Sequence, residues 1–196
     1  MQYNVNKSKT ITDSILNDKS TKEFTLILTQ EPPQLQHNRS PPTHESWTLI
    51  EPTLKTDGPP RTAIYVNNRK LPPALFEHIL ILHRDITTIG IAPNPPQTKP
   101  MLIINLYNSH EQTLPGTLHT HLTRDICLQD YGAVIVAGDF NLHHPLWNPL
   151  GYYDQSAEAE TLIEAMIEAD LRPLLPPGTI TFPFRNAQGG TAIDLV

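Results

Sequence analysis

One cysteine, Cys127, stands among 196 residues, so no internal disulfide can form. That usage fits a reducing compartment, and the chain is expected to be intracellular, nuclear or cytoplasmic, and not secreted. The apolar neighbours Ile126 and Leu128 predict a small buried thiol at Cys127. Basic residues are also scarce: 14 Lys and Arg face 20 Asp and Glu, a formal charge of −6. A protein that grips nucleic acid by charge alone is basic, so any such contact here must be local or lean on a bound cation. Arg61, Arg69 and Lys70 are too few to line a groove by themselves. Long apolar runs are missing too. Nothing approaches the roughly 18 residues of a membrane span, and the opening Met-Gln-Tyr-Asn-Val-Asn-Lys has no apolar stretch of the signal-peptide kind. No membrane and no disulfide partner is expected.

Proline, by contrast, is abundant, at 20 of 196 residues, about twice the usual share. Pro32–Pro33, Pro41–Pro42, Pro59–Pro60, Pro72–Pro73, Pro93–Pro96 and Pro176–Pro177 punctuate apolar runs and form no single tract. This reads as fixed loops between strands. The length suffices for one domain over residues 1–196 with a substantial core, and neither linker nor internal repeat is visible.

Apolar spacing predicts a strand end at Tyr3–Val5, a helix over Lys9–Asn17 capped by Ser8, and a buried strand at Phe24–Leu28. Ser46–Ile50 and Thr62–Val66 read as strands about a turn at Asp57-Gly58, and Ile86–Ile91 with Met101–Tyr107 as an antiparallel pair. Leu75–Leu82 fits a helix in part and a strand in its second half. Leu118, Leu122 and Ile126 mark a helix, and Ala133–Ala137 a strand. Ser156–Leu171 is a helix whose apolar face is Leu162, Ile163, Met166 and Ile167. Gly178–Phe182 and Thr191–Val196 read as strands joined by Asn186–Gly190. Helices falling between more numerous strands predict a layered α/β or α+β domain.

Residues 138–147, Gly-Asp-Phe-Asn-Leu-His-His-Pro-Leu-Trp, carry the densest chemistry. A buried strand delivers Asp139 and Asn141, two residues apart and so on one side of an extended backbone. A carboxylate that can hold water or metal, beside a neutral donor for charged oxygen, is what metal-assisted attack on a phosphodiester needs. Taken alone the stretch also reads as a plain turn. Polar residues end other strands as well: Asn4 and Asn6, Glu31, and Tyr107 with Asn108. Magnesium takes one or two carboxylates and keeps water or phosphate for its other positions, which suits Glu31 with an asparagine. His143 and His144 are adjacent and cannot share one face of a strand, so they are read as shaping their loop, with Trp147 as a packing anchor. His119 and His121 diverge on a helix and read as surface residues.

The series resembles the endonuclease/exonuclease/phosphatase superfamily, the fold of deoxyribonuclease I and the abasic-site endonucleases. It is closer still to the endonuclease domain of non-LTR (LINE-type) retrotransposons. Asn-Val-Asn-Lys-Ser near the start, Gln-Glu-Pro at 30–32, Pro-Pro-Gly-Thr-Ile-Thr-Phe at 176–182 and Thr-Ala-Ile-Asp-Leu at 191–195 carry the likeness with the block at 138–147. The resemblance implies a four-layer α/β sandwich and a magnesium-dependent, or manganese-dependent, phosphodiesterase that nicks DNA. It assigns Asn4 and Glu31 to the metal and Tyr107 to the scissile phosphate. Asp139 would orient or deprotonate the attacking water, Asn141 would be its transition-state partner, and Asp194 would orient a histidine.

The family's catalytic core ends in Ser-Asp-His, a sequence that does not occur here. The resemblance therefore implies a domain incomplete at its C-terminal strands, impaired in activity, from an element whose intact parent carries a reverse transcriptase. Other readings are a phosphatase or RNA nuclease of the same superfamily, and an inactive vestigial or binding fragment.

Overall fold

The structure, a computed structural model, describes residues 1–35, 40–52, 58–93, 98–109, 114–183 and 189–196. They form two compact units: Met1–Tyr107 with Tyr131–Gly138, and Asn108–Asp130 with Asp139–Val196.

In the first unit, strand β1 (Gln2–Asn4) precedes helix α1 (Lys9–Asn17), β2 (Leu26–Gln30), β3 (Trp47–Ile50) and β4 (Thr62–Asn67). The four strands form one sheet in the order β1-β2-β4-β3. β5 (Phe76–Ile79), β6 (Ile86–Ile91), β7 (Met101–Tyr107) and β8 (Ala133–Asp139) follow in the order β8-β7-β6-β5. α1 begins where expected, because the Ser8 hydroxyl accepts the Ile11 N–H at 3.2 Å and satisfies a donor the helix leaves open.

Strand alternation then sorts the core. Ile27, Ala63, Tyr65 and Trp47 face Leu16 of α1. Burying a side chain such as Leu16 contributes roughly 2 kcal/mol. The opposite face of this sheet packs on β6 and β7. All six residues of β4 are buried because both of its faces are covered, which is why Thr62–Asn67 reads as a continuous run. β6 and β7 are antiparallel, Ile86 opposite Leu106, as their sequence predicts.

The second unit holds helix α2 (Leu114–Thr120) and a π turn over His121–Asp125, then helix α3 (Ala159–Glu168) and the short strands β9 (Phe182–Pro183), β10 (Gly190–Thr191) and β11 (Asp194–Leu195). α2 packs on α3, and His119 Nε2 meets Glu168 Oε2 at 2.7 Å. His119 is thus tied to a neighbouring helix, not loose on the surface. Among the described residues no helix is long and apolar enough to cross a membrane.

Four expectations need correction. Cys127 is exposed, because the π turn ends in an extended Ile126 that takes the buried position. Within Leu75–Leu82 the strand is the first half, Phe76–Ile79, paired with β6. Leu80 and Leu82 lie outside it, 64% and 67% exposed. The last helix is shorter than Ser156–Leu171, and its buried stripe is Ala159, Leu162 and Ala165, with Ile167 at 73% exposure. The strand placed at Phe24–Leu28 runs instead to Gln30, directly against Glu31. Asp57, Asn186 and part of the loop at Pro93–Pro96 lie outside the described residues.

Candidate active site

Asn4, Glu31 and Tyr107 belong to the first unit. β1 runs parallel to β2 with Asn4 opposite Gln30, so Asn4 and Glu31 emerge at the same sheet end. Three backbone bonds fix the exit: Val5 N–H to Gln30 O at 3.0 Å, Lys7 N–H to Glu31 O at 2.7 Å, and Glu31 N–H to Arg61 O at 2.8 Å. The Asn4 carboxamide donates to Glu31 Oε2 at 3.3 Å, and Asn4 Oδ1 accepts the Asn6 N–H at 2.9 Å. Lys7 Nζ lies 3.6 Å from Glu31 Oε1. Glu31 sits at φ +48° and Asn6 at φ +47°. That left-handed region is unfavourable for a glutamate and persists only where the surroundings impose it.

Tyr107 ends β7, its N–H donating to Asp85 O at 3.0 Å. The Arg61 guanidinium lies 5.3 Å from the centre of the Tyr107 ring and grips the fully buried Asp85 carboxylate through Nε and Nη2. Glu31, Arg61 and Tyr107 are therefore linked in series. In the sequence alone Arg61 is one of three cations, with Arg69 and Lys70, too few to line a groove. The available signal was its position directly before β4, mirroring Glu31 directly after β2.

Asp139, Asn141 and Asp194 belong to the second unit. Asp139 is 4% exposed, and its Oδ1 accepts the Asn141 N–H at 3.1 Å, an Asx turn with Asn141 at φ +49°. The segment is held on two sides. Asn108 N–H donates to Asp139 O at 2.8 Å, and Phe140 N–H donates to Ile193 O at 2.8 Å, one residue before Asp194. Asn108 Nδ2 donates to Phe140 O at 2.9 Å, and Asn141 Nδ2 donates to Asn108 O at 2.7 Å. The N–H groups of Ile193 and Asp194 both donate to Thr181 Oγ1, at 3.0 and 3.1 Å. Beyond the turn, Trp147 is buried and its indole N–H donates to Leu142 O at 3.0 Å. His144 Nδ1 accepts the Leu146 N–H at 3.1 Å while Nε2 faces Glu160 at 3.5 Å, and His143 lies against the Tyr152 ring. Burial first, and then the Asp154 carboxylate, push the Tyr152 hydroxyl above its ordinary range.

Among the described residues no three His, Cys, Asp or Glu side chains gather where they could hold a metal ion. Zinc sites need such clusters, whereas magnesium does not. One carboxylate steadied by a carboxamide, as at Glu31 and Asn4, fits a hard cation that keeps its remaining positions for water or phosphate.

Residues 101–196 match the family model described as endonuclease-reverse transcriptase. The fold is similar to that of the endonuclease domain of TRAS1, a telomere-specific non-LTR retrotransposon, with a TM-score of 0.71 at 17% identity over 99% of this chain and 81% of that one. The chain therefore shares the fold of that endonuclease domain, and its C-terminal half matches the endonuclease-reverse transcriptase model. Two further structures share the fold. The AP endonuclease LMAP from Leishmania major gives a TM-score of 0.69 at 13% identity, covering 99% of this chain and 76% of that one. The APE2 catalytic domain of Xenopus laevis gives 0.66 at 14%, covering 99% and 80%. No curated protein sequence matches significantly. The mixed α/β class with several sheets, expected of this superfamily, is what the structure has.

Proposed function

We propose that this chain is a metal-dependent endonuclease domain of a non-LTR retrotransposon, hydrolysing a phosphodiester to nick DNA. The observation that carries the reading is the Asx turn at Asp139–Asn141. It holds a buried carboxylate and an oriented carboxamide two residues apart at the end of a strand. The match of residues 101–196 to the endonuclease-reverse transcriptase model and the fold of TRAS1 support it.

Glu31, with Asn4 steadying its carboxylate, would hold a magnesium or manganese ion, which when bound draws charge from the phosphate. Asp139 accepts a proton from the attacking water and keeps that water aimed. Asn141 and the Tyr107 hydroxyl donate hydrogen bonds to phosphate oxygens that gain charge, and losing one such donor costs roughly a hundredfold in rate. Asp194 would be the carboxylate that orients a histidine, a role for which residues 1–196 hold no Ser-Asp-His. The product is a nick with a free 3′ hydroxyl, which a reverse transcriptase of the parent element can extend. The site of action is intracellular.

The test is relaxation of supercoiled plasmid by the purified chain with magnesium, manganese or a chelator. Nicked circles whose ends a polymerase can extend, abolished by chelation and by Asp139→Ala, are expected. Nicking that survives Asp139→Ala undiminished, or hydrolysis of phosphomonoesters or RNA with DNA left intact, overturns the reading.

A further inference from the structure

Asn108 touches every residue of the Asp139–Asn141 segment. Its backbone N–H donates to Asp139 O, its Nδ2 donates to Phe140 O, and its carbonyl accepts Asn141 Nδ2. The side chain is 4% exposed, and its Oδ1 finds no hydrogen-bond partner among the described residues. An apolar side chain of similar volume would avoid burying that acceptor. The asparagine is therefore explained by its donor, which fixes the Phe140–Asn141 peptide.

The contact to Asn141 also decides which way that carboxamide points. The Asn108 carbonyl can only accept, so the amide atom facing it must be NH2 and not oxygen. One N–H of Asn141 is committed there, and the second projects from the same nitrogen. We infer that Asn108 is a positioning residue: it clamps the Asp139–Asn141 turn and turns the Asn141 carboxamide so that its second N–H is the one presented to a substrate phosphate oxygen. The assignment of that oxygen rests on the nuclease reading, whereas the clamp rests on the geometry alone.

The test uses Asn108→Leu in the full chain, which keeps the volume and removes the carboxamide. Expected is a kcat for plasmid nicking lower by about tenfold to a hundredfold, the scale of a misplaced catalytic group, with KM and the unfolding midpoint near those of the unchanged chain. In 1H–15N spectra, the Asn141 side-chain NH2 of the unchanged chain shows a through-hydrogen-bond coupling to the Asn108 carbonyl carbon. Its exchange with water is about tenfold faster in the variant. Absence of that coupling in the unchanged chain, or exchange and kcat unaltered in Asn108→Leu, overturns the inference. If Asn108→Leu does not fold, the coupling from Asn108 Nδ2 to the Phe140 carbonyl in the unchanged chain decides the clamp. A chain that shows both couplings yet never nicks DNA refutes the nuclease reading and keeps the clamp.

Discussion

The Gln30 carboxamide donates to the Asn105 carboxamide at 2.6 Å, and neither residue is exposed. Gln30 is the register partner of Thr62 in one sheet of the first unit, and Asn105 is the partner of Thr87 in the other. Thr62 and Thr87 are in turn hydrogen-bonded at 2.8 Å. Four polar residues thus close a square between two apolar sheets, one residue inside the end from which Glu31 emerges. Asn105 completes its set by donating to Thr29 O and Ala63 O at 3.0 and 2.9 Å.

Asn105→Ala should be the costly change at this square. It removes three hydrogen bonds and strands the Gln30 amide in an apolar layer, an expected loss of about 3–5 kcal/mol. The double change Thr62→Val with Thr87→Val removes both members of one bond and should cost less than about 1.5 kcal/mol. Urea unfolding of the two variants checks the order, and a larger loss for the double valine would refute it.

Gly138 explains the first letter of Gly-Asp-Phe-Asn. A Cβ there would collide with Leu106 O, a backbone atom that no rotamer change can move aside. Gly138→Ala should cost more than about 4 kcal/mol or prevent folding. Gly116, inside α2 with nothing within 4 Å of an added Cβ, supplies the contrast. Gly116→Ala should stabilise by roughly 0.5–1 kcal/mol, the helix penalty of glycine. Denaturation midpoints that move in the same direction for both would contradict the packing argument.

Tyr65 links stability to alkaline pH. Its hydroxyl donates to Pro42 O at 2.9 Å. Burial first, then the Glu51 and Asp13 carboxylates, push its ionisation well above the ordinary value. Below about pH 10 the residue is neutral whether the chain is folded or not, so it adds no pH dependence. Above that, the unfolded chain loses the proton first. The folded state then holds more protons, and stability falls as pH rises. Tyr65→Phe should lower stability by about 1–2 kcal/mol near neutrality through the lost hydrogen bond and flatten the alkaline slope. Unfolding free energies at several values from pH 8 to 11 read both effects, and an unchanged slope would contradict the assignment.

Helix α1 was legible to the residue, because a serine cap and apolar spacing at 11, 15 and 16 act locally. The antiparallel pair β6–β7 was legible because two apolar runs flank a proline-rich break. β5 was not. Leu75–Leu82 is apolar at both helical and strand spacing, and only pairing with β6 chose Phe76–Ile79. The α3 face was misread because Leu, Ile and Met outrank Ala in hydrophobicity, yet close packing on α2 buries the small Ala159 and Ala165. At the site, residue type and family likeness single out Glu31, Asp139 and Asn141 as candidates, and the structure adds the contacts that hold them. Asn108 and Arg61 were not, since their roles consist of contacts to residues far along the chain.

The sequence by itself determined the absence of a disulfide, the α/β succession and the capped helix, all of which follow from composition or from neighbours a few residues apart; the extended backbone expected through Asn141 ends instead at Asp139, in a turn. Tertiary structure alone decided that Gln30 meets Asn105, 75 positions away. It also decided that Arg61 lies over Tyr107, and that Glu31 takes a left-handed backbone angle its side chain disfavours. These features exist only because two sheets, or two strand ends, close on one another. A buried polar group must then find its partner wherever packing places it.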